Sequence, residues 1–140
     1  METIRIGVNA LIEKDGKMLF GLRKGTTRGA GTWGLPGGRL EFGEKVEDAI
    51  RREMMEETGL ILDEIEFMSI VNNPRGSEHY IQINFLVKKY HGELRNLEPD
   101  KCEEWQWFEI GKWPEPLFFG HKYVIRQYGQ KNVLMDVVES

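Results

Sequence analysis

Glu53, Glu56 and Glu57 stand three and four residues apart in Arg52-Glu53-Met54-Met55-Glu56-Glu57-Thr58-Gly59. On a helix, residues at that spacing share a face. Carboxylates gathered in one small volume repel one another, and their pKa values rise unless a cation holds them. A donor set made only of oxygen suits a hard divalent ion such as Mg²⁺ or Mn²⁺, which keeps several waters and binds the phosphates of a substrate. Glu44, upstream near the start of the same helix, adds a further carboxylate. A helix rich in Glu and Arg also has a plainer reading, as a solvated face laced with i,i+4 ion pairs. Its setting favours the chemical one: Leu35-Pro36-Gly37-Gly38 feeds the helix and Gly59 closes it.

The set Gly38, Glu44, Arg52-Glu53-Met54, Glu56-Glu57 and Gly59-Leu60 resembles the Nudix box, with each fixed position filled. The resemblance covers most of the chain, from about Ile4 to Tyr128. It implies an α/β (α+β) fold, an α/β/α sandwich around a mixed sheet, and a pyrophosphohydrolase acting on phosphoric anhydrides. It implies Glu53 and Glu57 as principal metal ligands and Glu56 as a further ligand or base. Glu44 is expected to support the loop–helix junction or complete the metal site, and a backbone carbonyl of Gly37 or Gly38 to add a ligand. Arg52 is expected to orient a box glutamate, which its spacing to Glu56 allows. The general base stays open among Glu53 and Glu56 inside the box and Glu103 outside it. For Glu103 the plainer reading is a solvated loop acid.

Two stretches, Arg28 to Glu44 and Glu98 to Trp107, together with Val71-Asn72, are similar to the MutT-like branch whose members hydrolyse nucleoside triphosphates, thiopurine nucleotides among them. That implies Mg²⁺-dependent (or Mn²⁺-dependent) conversion of a nucleoside triphosphate, NTP or dNTP, to monophosphate and pyrophosphate, and a homodimer. Arg23, Gly37, Gly38 and Arg39 are the expected substrate contacts. Arg23 leaves a strand beside the acidic helix, and the glycines admit close approach of backbone to ligand. The alternative is an ADP-ribose or nucleoside-diphosphate-sugar pyrophosphatase, for which Pro74 is a weak signal. A nucleotide-sensing module that binds without cleaving is remoter, because such domains usually lose box glutamates.

Positioning these groups requires a scaffold, and hydrophobic periodicity outlines it. Apolar residues alternate from Thr3 to Ile12, Lys14-Asp15-Gly16-Lys17 turns the chain, and Met18 to Leu22 returns. Gly25 to Gly34 reads as a loop, Leu35 to Gly38 as too glycine-rich for regular structure, and Arg39 to Phe42 as a short extended piece. A helix follows from about Lys45, buried through Val46, Ala49, Ile50 and Met54, with Gly59 as its left-handed stop. Ile65 to Asn72 and His79 to Lys89 read as strands joined at Pro74 to Ser77. Arg95 to Glu104 reads as a polar loop, Trp105 to Phe108 as a strand, and Leu117 to Tyr128 as a helix. The tail from Lys131 to Ser140 carries Val133, Leu134, Val137 and Val138, suited to covering an edge or a partner. Trp33, Trp105, Trp107, Phe118 and Phe119 read as core or interface, and His79 and His121 as surface or packing residues.

The chain of 140 residues, with a net charge of −4, is expected to form a single domain, residues 1–140. It has no basic footprint for stable nucleic-acid binding. The single cysteine, Cys102, excludes an internal disulfide and fits a reducing compartment. With no membrane-length apolar run or leader at Met1, the expectation is a cytoplasmic protein with a nucleotide substrate and no membrane partner.

Overall fold

Alternation starting at Ile4 produces β1 (Ile4–Lys14), which turns at Asp15-Gly16 into β2 (Lys17–Arg23). A computed structural model of the chain describes residues 2–25, 28–130 and 132–138. Met1, Thr26 and Thr27 of the glycine-rich loop, and Lys131, Glu139 and Ser140 of the tail, lie outside the described residues. The remaining elements are β3 (Trp33–Gly34), β4 (Gly37–Arg39), α1 (Val46–Thr58), β5 (Ile61–Arg75), β6 (Glu78–His91), β7 (Cys102–Glu109), α2 (His121–Gln127) and β8 (Leu134–Asp136).

The sheet is mixed. β1 runs parallel to β6 from Ile4↔His79 to Ile12↔Val87, and β4 lies antiparallel to β1 on its other side. β5 pairs antiparallel with β6 and parallel with β8, so the tail does cover a sheet edge. β2 joins β1 only near the hairpin, then diverges to pair with β3 and β7.

Both faces of β1 are buried, and the period-two pattern sorts its side chains between two cores. Val8, Ala10, Ile12 and Leu19 pack with Ala49, Ile50 and Met54 of α1. Leu11, Met18 and Phe20 pack with Val124 and Ile125 of α2. The helices therefore cover opposite faces, which is the expected α/β/α sandwich. Among the described residues no helix is long and apolar enough to cross a membrane.

Several sequence boundaries shift. Gly37 and Gly38 are not irregular: they pair with Asn9 and Val8 in β4. A Cβ on Gly37 would stand 2.0 Å from the Val8 carbonyl oxygen, so the glycine is what lets β4 lie there. The extended piece expected over 39–42 contributes only Arg39 to a strand, and the Phe42 ring is wholly exposed. β5 and β6 run past Asn72 and Lys89 on both sides, and β7 starts at Cys102 instead of Trp105. The last helix begins at His121, not Leu117, because the Phe118 N–H donates to the Trp33 carbonyl and Gly120 takes a left-handed φ of 79°.

Candidate active site

Arg52 is the hub of the acidic face of α1. Its Nε and Nη2 donate to the two oxygens of Glu44 at 2.7 and 3.0 Å, a fork that matches a carboxylate. Nη1 reaches Glu53 at 2.8 Å and Glu56 at 3.3 Å, and Nη2 also donates to the Arg39 carbonyl at 3.1 Å. Glu44 additionally accepts the Glu41 N–H at 3.1 Å. Arg52 and this backbone amide hold its carboxyl below the usual range. Both Glu44 oxygens are thus engaged in the loop–helix junction, the first of the two roles expected of it.

Glu53, held at one oxygen by Arg52, and Glu57 line a cleft of about 420 Å³ together with Gly37, Gly38, Arg23 and Glu98. Glu53 is only 15% exposed, while Glu56 is 50% exposed and leans to Arg52. Glu57 is partly buried. Burial raises its pKa well above the usual carboxylate value, and the Glu53 charge, a hydrogen bond shared with Glu53 and the Glu98 charge push it further. The Gly37 N–H opposes them by donating to the carboxylate. Gly38 makes room for the pair: a Cβ there would lie 2.3 Å from Glu53 Cδ.

Glu98 is the acid that sequence reasoning passed over in favour of Glu103. Glu103 is exposed on β7 and is not part of the cleft wall. Glu98 reaches the cleft because its loop seals the end of α1: Arg95 and Leu97 N–H groups donate to the Thr58 and Glu57 carbonyls. Those carbonyls have no partner within the helix. The signal available in sequence was position, since a chain that caps the helix delivers its next residue beside Glu57.

The same cleft is lined by the cations Arg23, Arg39 and Lys101, the last 3.7 Å from Glu98. Arg23 is fixed by a 2.7 Å bond from Nε to the Arg28 carbonyl and lies 3.9 Å from the Phe118 ring centroid. Burial lowers its pKa while the Glu57 charge pulls the other way. Arg23 and Arg39 also wall a second hollow with Arg5, Tyr80, Gln82 and Phe118. Phe119 at its rim is 40% exposed, with the Arg75 guanidinium 3.8 Å from its ring centroid. Trp33, Trp105 and Trp107 do pack against the cores, Trp105 also lining the cleft, but Phe119 is open. His121 is a packing residue, 3% exposed, whose Nδ1 accepts the Leu35 N–H at 3.0 Å. A larger hollow, about 630 Å³ beside α2, contains none of the box carboxylates.

The donor set fits a hard divalent cation. Two converging carboxylates share a hydrogen bond, and Gly38 leaves the space beside Glu53 clear. Among the described residues no three acidic, His or Cys side chains are already gathered tightly enough to hold a metal. A cation held there would need a third carboxylate, from Glu56 or Glu98, to turn in.

The chain is similar to known proteins over most of its length. The family model described as the NUDIX domain matches residues 2–128. The "ADP-ribose pyrophosphatase" of Methanocaldococcus jannaschii is 37% identical over 127 residues, covering 88% of this chain and 72% of that protein. The "Oxidized purine nucleoside triphosphate hydrolase" of Danio rerio is 33% identical, covering 81% and 72%. The crystal structure of a MutT NUDIX hydrolase from Burkholderia pseudomallei superposes with a TM-score of 0.84 at 35% identity, covering 90% of this chain and 98% of that one.

Proposed function

The chain belongs to the Nudix family and is a hydrolase acting on phosphoric anhydrides, and on that premise we propose that it converts nucleoside triphosphates to monophosphate and pyrophosphate with Mg²⁺ or Mn²⁺. The observation that carries this reading is the pairing of two spaces. An aromatic and cationic hollow large enough for a nucleoside shares Arg23 and Arg39 with a cleft lined by carboxylates and three cations. A triphosphate fits with its base at Phe118 and its phosphate chain among Glu53, Glu57, Arg23, Arg39 and Lys101.

In this assignment Glu53 and Glu57 are the principal metal ligands, with Glu56 and a Gly37 carbonyl completing the set, and Gly38 keeps the space clear. A divalent cation held by these residues would supply charge neutralisation at the phosphate oxygens and an acidified water. Hydrolysis adds one water across a P–O–P link: its oxygen bonds to phosphorus, the bridging bond breaks, and its proton passes to a carboxylate. We assign that proton to Glu98, supported by its standing in the cleft near Glu57, with Glu56 as the second candidate. Arg52 acts as a positioning residue, fixing Glu53 against Glu44. Arg23 and Arg39 bind phosphate.

The similarity to the Methanocaldococcus jannaschii protein favours a second reading, ADP-ribose as substrate. Comparing kcat/KM for nucleoside triphosphates and ADP-ribose separates them. A higher value for triphosphates supports the proposal, and a higher value for ADP-ribose replaces it. We also place the enzyme in a reducing, cytoplasmic setting, in keeping with the Cys102 thiol, which burial pushes up to about 11 and so leaves unreactive.

A further inference from the structure

Hydrogen bonding under the second hollow decides which way the Gln82 amide faces. The constraint begins at the Gln82 backbone carbonyl, which can only accept. Asn84 Nδ2 lies 3.4 Å from it and also donates to Ser69 Oγ at 3.1 Å. Asn84 therefore turns its Oδ1 to Asn9, whose Nδ2 donates to it at 3.0 Å and to Gln82 Oε1 at 2.7 Å. With Oε1 so engaged, Gln82 is left showing the N–H donors of Nε2. Among the described residues no hydrogen bond occupies them.

The network is rigid because it is dry. Asn84 and Ser69 are fully buried and Asn9 is 4% exposed. Reversing one amide would set donor against donor or acceptor against acceptor where water cannot relieve it. Gln82 itself is half-buried and stands in the wall of the hollow beside Tyr80 and Phe118. Its cross-strand partner is Gly7, and a Cβ there would come within 3.1 Å of Gln82 Oε1. The mid-strand glycine clears the place the amide occupies.

We propose that Gln82 is a specificity-determining residue whose amide, locked as a donor by Asn9, Asn84 and Ser69, selects a nucleobase edge carrying a keto oxygen over one carrying an exocyclic amino group. A keto oxygen accepts from Nε2, whereas an amino group would meet it donor to donor. The inference rests on the reading that a nucleotide places its base in this hollow. It does not depend on which anhydride bond is cleaved.

Titration calorimetry with inosine and adenosine monophosphates tests it apart from turnover, because the two ligands differ at that edge. The unaltered protein is expected to bind the inosine compound about tenfold more tightly. Gln82→Glu keeps the bond from Asn9 and replaces the outward donor with an acceptor. That variant, checked by its melting curve, is expected to equalise or invert the ratio. Gly7→Ala, which presses on Oε1 without changing any donor, is expected to weaken both ligands while keeping the sign of the preference. An unchanged ratio in folded Gln82→Glu, a preference of the unaltered protein for adenosine, or no binding of either compound would overturn the inference. Failure of triphosphate hydrolysis alone would count against the proposed reaction and leave these ratios to be read on their own.

Discussion

Arg52 and Glu57 illustrate opposite fates of charge on one helix. Arg52 has four carboxylates within 4 Å, including Glu41 at 3.7 Å, whereas Glu57 is left facing Glu53 in a partly buried cleft. Removing the Glu57 charge should therefore relieve repulsion in the metal-free fold while destroying a metal ligand. Glu57→Gln is expected to melt at or above the temperature of the parent without metal, to lose the rise in melting temperature that Mg²⁺ gives, and to drop turnover by about 10²-fold or more. Full Mg²⁺-dependent activity in that variant would remove Glu57 from the ligand set. The glycines give a paired prediction. Gly38→Ala drives a Cβ into the Glu53 carboxylate, a side-chain end that can move, so activity should fall with the fold retained. Gly37→Ala drives one into the Val8 carbonyl, which cannot move without opening β4, so its cost should be of order 1–3 kcal/mol in urea unfolding. Equal stability of the two variants would contradict this. At this scale the box glutamates were legible because helix spacing is local. Glu98 was not, because what places it is a loop folding back onto the helix end.

Among the elements, α2 matters through its first residue. His121 holds the Leu35 amide, and with it the turn that leads into β4 and the cleft. Burial, reinforced by the Arg23 charge, lowers the His121 pKa from the usual 6.5 to about 3. Since the folded value lies below the unfolded one, the unfolded chain takes up a proton in that window while the folded protein does not. Stability is therefore fully present above about pH 6.5 and is lost progressively as pH falls toward 3. An NMR titration of the imidazole should show a neutral ring throughout the folded range down to about pH 4, and a midpoint near 6 would contradict the burial argument. The strands and α1 were legible from period and composition. The start of α2 was not, since the pairing of Phe118 with Trp33 is a long-range contact that overrides helix preference. β4 was hidden for a related reason, as glycines usually argue against a strand until a close backbone neighbour requires them.

For the whole molecule, apolar side chains remain open on β5 and β8 at Ile61, Phe67 and Leu134, in keeping with the homodimer that we propose. Light scattering is expected to give twice the 16.3 kDa chain mass, and a mass matching one chain would refute it. The sandwich was readable because one complete motif fixed the family's architecture over nearly the whole length. The hollow that we propose for the base was not, because Arg23, Arg39, Gln82 and Phe118 reach it from four separate segments. The most direct check on the proposed reaction is chromatographic identification of products formed with Mg²⁺ from nucleoside triphosphates, deoxynucleoside triphosphates, ADP-ribose and sugar nucleotides. Monophosphate and pyrophosphate in equal amounts from a triphosphate is the expected result. Cleavage confined to ADP-ribose or sugar nucleotides, or release of single phosphates from the triphosphates, would contradict it.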